Sequence, residues 1–194
     1  MNRPSTRDIA YSALFVVLIA VGAFVKVPGP LCPLTLQPVM VSLTGLLLGP
    51  RLGPRAVAAY VVAGLAGLPI FAGGGGPGYI MSPSFGYLIG FILDAWIVAR
   101  LAPPSAPVTR WRRMLACLAG LLALYAVGMT HLYLVSNLVL GTPVTVGSLF
   151  MFSFLLVLPG DLILIPVAAE VAGRLAPLMH PADADGGPVR QTGR

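Results

Sequence analysis

The sequence predicts an all-α membrane protein, a bundle of six transmembrane helices, on three observations. Of 194 residues, 57% are hydrophobic and only 9% are charged, with a mean hydropathy of +0.91, whereas a soluble domain carries roughly 25% charged residues. The apolar residues gather in six stretches separated by Pro/Gly or Arg clusters. When successive loops are placed on alternate sides of a bilayer, all the arginines fall on one side and the single lysine, Lys26, on the other. Backbone groups in lipid must be satisfied within their own segment, so the stretches are read as helices; the alternation of a membrane β-barrel is absent.

The first stretch, Ile9–Val25, follows Arg3 and Arg7, and Ala20-Val21-Gly22 resembles a leader-cleavage site. Its apolar run is long for a secretion signal and further spans follow, so it is read as a retained helix. The second, Leu34–Leu48, opens on Thr35 and Gln37, and the third, Ala56–Ala72, follows a Pro/Arg-containing turn. The fourth, Phe85–Ala99, carries Asp94 about two turns before Arg100, which predicts a pairing with arginine or with a neighbouring helix. Met114–Leu140 is the fifth and Ser148–Leu175 the sixth. Several are shorter than the ~20 residues that cross a bilayer, and are expected to extend into their flanks. In the sixth, Pro159 lacks an N–H and disfavours helical geometry at Leu158, which predicts a break and a new helix near Gly160. Glu170 and Arg174 are spaced for an ion pair one turn apart. The residues from Pro177 to Arg194 read as a disordered tail, leaving residues 1–176 as one membrane-embedded substrate-binding domain.

Arginine placement puts both termini in the cytoplasm of a multi-pass protein of the cell membrane. The formal net charge of +6 is then an orientation signal, and nucleic acid is excluded as a partner. Cys32 and Cys117 lie in different segments and read as buried thiols.

Little here supports catalysis. The loop from Phe71 to Tyr79 contains GxGxxG at Gly73, Gly75 and Gly78, but no strand precedes it and it faces away from cytoplasmic nucleotides. The same glycines give GxxxxG, yet Tyr79 and Ile80 stand where a phosphate-binding loop needs Lys and Ser/Thr. His131 has no second ligand at metal spacing, and the serines have no neighbouring base. No enzyme activity, cofactor or metal is expected. Asp161 differs, because an acidic group in an apolar segment costs several kcal/mol unless it is used; capping its own helix is the alternative role. Thr35, Gln37, Gly73, Gly74, Ser84, Tyr87, Asn137 and Asp161 all fall toward the outward side. Together they predict a pocket facing that side for a small, mostly apolar ligand with a few polar groups.

Several segments in order resemble the BioY family, the biotin-specific substrate-binding (S) components of energy-coupling factor transporters. They are Ala20–Phe24, Pro33–Gln37, Gly45–Arg51, Gly67–Gly74, Gly86–Phe91 and Leu158–Asp161. The resemblance implies capture and translocation of biotin, with a transmembrane T component and two cytoplasmic ATPases as partners. It implies Asp161 as an acceptor for the ureido N–H groups, and Phe71 and Tyr87 as packing surfaces for the ring. Two positions depart from the family pattern. Leu164 stands where a lysine commonly follows the aspartate, so Lys26, or the N–H groups at the last helix's start, is the expected partner of the carboxylate. In the first span Val17 interrupts an AxxxA pattern associated with docking on the T component. An S component for another vitamin, or a membrane scaffold without ligand, are the competing readings.

Overall fold

The computed structural model describes residues 5–29, 31 and 34–179. Helix α1, Thr6–Phe24, starts from a capping box in which the Ser5 hydroxyl accepts from the Asp8 N–H and the Asp8 carboxylate accepts from the Ser5 N–H. One face of α1 buries Phe15, Ile19, Gly22 and Ala23, while Leu14, Val17, Val21 and Phe24 stay exposed. A short hairpin follows, β1 (Lys26–Val27) against β2 (Leu34–Thr35), with Lys26 opposite Thr35. Lys26–Val27 lies between the expected stretches, but Leu34 and Thr35, expected to open the second helix, are strand instead, and the helix starts at Gln37. Gly22 has no side chain to hold the hairpin off, and the Leu36 N–H donates to its carbonyl at 3.2 Å. A β-carbon at Gly22 would lie 3.2 Å from the Gln37 nitrogen, so this glycine sets where the next helix begins.

Helix α2 spans Gln37–Leu65 and joins what the sequence divides into two stretches. Gly49 adopts φ 76°, ψ −178°, open to glycine at little cost, and Pro50 restarts the helix where its missing N–H is not needed. The second leg folds back on the first. A β-carbon on Gly53 would sit 3.2 Å from the Thr44 carbonyl oxygen, and Tyr60 meets Gln37 across the hairpin. The helix stops at Leu65 rather than continuing to Ala72; the connection to α3 is irregular apart from a 3-10 turn at Pro77–Met81.

Helices α3 (Phe85–Leu101) and α4 (Arg110–Leu134) pack closely because glycines face the partner helix. A β-carbon on Gly90 would lie 2.9 Å from the Leu124 carbonyl oxygen, and one on Gly128 would collide with the Tyr87 ring. Helix α4 widens into a π-turn at Val135–Val139. The expected sixth stretch is subdivided into α5 (Val146–Phe150), a π-turn at Met151–Leu155, a turn at 156–157, and α6 (Leu158–Met179). The break therefore falls just before Leu158, two residues ahead of its expected place, with Pro159 in the first turn of α6. Helix α6 carries Pro177 and runs to Met179, so the expected tail is helical over 177–179; its remainder, 180–194, lies outside the described residues.

Thr6–Phe24, Arg110–Val139 and Val146–Met179 are each long and apolar enough to cross a membrane. Asp94 is fully buried and accepts from the Ser42 hydroxyl at 3.1 Å, so it is satisfied by a neighbouring helix rather than by Arg100, whose guanidinium lies over Trp96. Glu170 and Arg174 form the expected pair at 2.8 Å.

Candidate functional site

A cavity of about 50 Å³ opens among the hairpin, the glycine loop and four helical segments. One water needs roughly 10–15 Å³, so the space exceeds a single solvent site. Leu34, Thr35, Gln37 and Pro38 form one wall, Ala72, Tyr79 and Ser84 another. Tyr87, Leu88 and Phe91 of α3, Leu124 and Tyr125 of α4, and Ser153 and Val157 complete it. The lining is mostly apolar and aromatic, with hydroxyls and one amide at fixed points, and among the described residues it contains no lysine or arginine.

The polar groups are oriented by their own bonds. Gln37 is 3% exposed; its amide nitrogen donates to the Tyr60 hydroxyl at 2.8 Å, and its amide oxygen accepts from Thr35 at 3.3 Å. Tyr60 donates onward to the Ile70 carbonyl at 2.8 Å, tying the glycine-loop region to α2. Tyr79, Ser82 and Ser84 form a hydroxyl chain, with Tyr79 3.0 Å from Ser84 and Ser82 2.9 Å from it. Tyr87 and Tyr125 stand edge-to-face, their ring centres 6.3 Å apart.

Asp161 is buried in the first turn of α6. Its carboxylate accepts from the Tyr125 hydroxyl at 2.5 Å, and its own N–H donates to the Val157 carbonyl. The side chain is thus committed across the bundle to α4. It borders a second space of about 10 Å³, shared with Ser42, Cys117 and Leu164, which meets the main cavity at Pro38. An open groove of about 630 Å³ approaches from the loop side, and Tyr79 and Ser84 line both groove and cavity.

Of the residues singled out in the sequence, Thr35, Gln37, Ser84 and Tyr87 line the cavity, and Asp161 reaches it through Tyr125. Gly73 lines the approach groove. The others lie elsewhere. Phe71 is buried behind Tyr79, with ring centres 4.8 Å apart, and fills the space left by Gly64. Gly74, at φ 119°, closes a turn through reciprocal backbone bonds with Phe71. Asn137 bonds Tyr133 and both backbone groups of Val144, bracing the loop after α4. The Lys26 ammonium donates to the Ala72 carbonyl at 2.5 Å, on the exposed side of the cavity wall. Tyr125 and Ser153 went unnoticed in the sequence. A phenol within an apolar span must find a partner when buried, and that signal could have found Tyr125.

The sequence model of the BioY family matches residues 1–181. A probable biotin transporter BioY from Lysinibacillus sphaericus is 38% identical over 184 residues, covering 95% of this chain and 94% of its own. A biotin transporter BioY from Rhizobium etli is 33% identical, covering 91% of this chain and 96% of its own. The fold is similar to the 2.1 Å crystal structure of the S-component for biotin from an ECF-type ABC transporter, with a TM-score of 0.74 and 28% identity. That likeness covers 90% of this chain and 93% of the other.

Proposed function

This chain belongs to the BioY family, and we propose that it is the biotin-binding S component of an ECF-type transporter, acting in biotin uptake and not as an enzyme. One observation carries the reading: segments far apart in sequence, around Thr35–Gln37, Gly86–Phe91 and Leu158–Asp161, converge on a single cavity or on the residue bonded to its wall. The chain is a multi-pass protein of the cell membrane, with residues 1–176 crossing six times and both termini cytoplasmic. The α2 hairpin supplies the second and third crossings. Biotin enters from outside through the groove at Tyr79 and Ser84. A transmembrane T component and two ATPases supply the energy, since this chain has no phosphate-binding loop.

Within the cavity the bicyclic ring packs against Tyr87, Phe91 and Leu124. Tyr125, having given its proton to the Asp161 hydrogen bond, turns a polarised oxygen lone pair toward the ureido N–H groups. Asp161 thereby acts on the ligand through Tyr125. Gln37, held by Thr35 and Tyr60, offers its remaining N–H to the ureido carbonyl. Phe71, Gly74 and Asn137 serve by holding loops in place.

The test is calorimetric titration of the purified protein in detergent with biotin and with competing vitamins. Biotin is expected to bind and the competitors not to. Asp161→Asn weakens the charge-assisted bond, worth about 1.5–3 kcal/mol, so affinity falls about 10–100-fold. Binding of another vitamin in place of biotin, or of none, would overturn the assignment.

A further inference from the structure

Ser153 is 1% exposed and lines the cavity, yet its hydroxyl has no hydrogen-bond partner. Other helical hydroxyls have partners: Ser12, Thr44 and Thr130 each donate to the carbonyl four residues back, at 2.7–2.8 Å, and Ser42 donates to Asp94. Ser153 makes no such bond. It sits in the π-turn Met151–Leu155, where the Leu156 N–H reaches back five residues to the Met151 carbonyl at 3.0 Å. Wide turns of this kind often mark functional positions. A buried hydroxyl without a partner is destabilising, and that penalty is removed when a ligand atom supplies the missing bond.

The ligand atom follows from charge and position. An extended carboxylate tail needs donors, and the described lining offers no cation. Lys26, the single lysine of the sequence, spends its ammonium on the Ala72 carbonyl outside the wall. Thr35 donates to Gln37, and Tyr79, Ser82 and Ser84 bond one another, whereas the Ser153 hydroxyl, in the segment whose Phe154 packs edge-to-face on Tyr125 at 5.2 Å, is a donor the lining leaves open. Resting on the biotin reading above, we propose that Ser153 donates its hydroxyl to the carboxylate of the bound vitamin, in a cavity that holds this charge with neutral donors in place of a cation.

Titration of biotin and of biotinol, in which an alcohol replaces the carboxyl group, into the detergent-purified wild type, Ser153→Ala, Ser153→Cys and Lys26→Ala tests this. The wild type is expected to prefer biotin by about tenfold. Ser153→Ala and the isosteric, weakly donating Ser153→Cys should lose about 10–100-fold in biotin affinity while keeping biotinol affinity within about threefold, which also reports that they are folded. Lys26→Ala should keep the wild-type preference. Unchanged biotin affinity in both Ser153 variants, equal losses for the two ligands, or loss of the preference in Lys26→Ala would each overturn the assignment. A wild type that binds neither ligand would refute the biotin reading itself, and the role of Ser153 with it.

Discussion

Gly128→Ala puts the helix packing that shapes the cavity to a direct test. Gly128 lies in α4 opposite Tyr87, and an added methyl would sit 2.6 Å from the ring's Cε1 and 2.7 Å from its Cγ. Alanine in a helix interior gains about 1 kcal/mol over glycine. Overpacking of a close-fitted contact costs about 1–3 kcal/mol, so the net change in stability is a loss of about 0–2 kcal/mol. The functional effect should be larger than the structural one. Tyr87 stands edge-to-face with Tyr125 and lines the cavity, so the ring relieves the clash by moving into a space of only about 50 Å³. Biotin affinity is therefore expected to fall at least tenfold, about 1.4 kcal/mol, with a small drop in the thermal unfolding midpoint. Gly147→Ala, where nothing lies within 4 Å of the added carbon, is the control and should leave both quantities near wild type. Wild-type biotin affinity in Gly128→Ala, measured by calorimetry in the same detergent, would refute the claim that α3–α4 contact sets the cavity wall.

Two further substitutions probe the supports of the site. Tyr60→Phe removes the acceptor for Gln37 and the donor to Ile70; it should cost about 1–3 kcal/mol in stability and weaken biotin binding several-fold, read by thermal unfolding and titration. Gly49→Ala forces a side chain onto a φ of 76°, a strain of about 1–2 kcal/mol, and brings its methyl within 3.3 Å of Pro104. Its unfolding midpoint should drop, and biotin affinity should change less than in Gly128→Ala because the bend lies at the far end of the hairpin from Gln37.

Much of this architecture was legible in the sequence because the solvent imposes it. Lipid demands long apolar helices, and Pro159 and Gly49-Pro50 mark where a helix must break or bend, since proline lacks a donor and glycine tolerates positive φ. Polar groups that have no local use, Gln37 and Asp161 among them, stand out against an apolar background for the same reason. What a polar side chain does with its bonds depends on which helix arrives beside it, and no spacing rule encodes that. Asn137 and Lys26 look as available as Gln37 in the sequence, but folding commits them to the loop after α4 and to the Ala72 carbonyl. Ser153 looks like one more serine in an apolar run. Only the wide turn that carries it, and the packing of α4 against α6 that places Tyr125 on Asp161, decide that one hydroxyl is left open to the cavity while the carboxylate is held behind its wall.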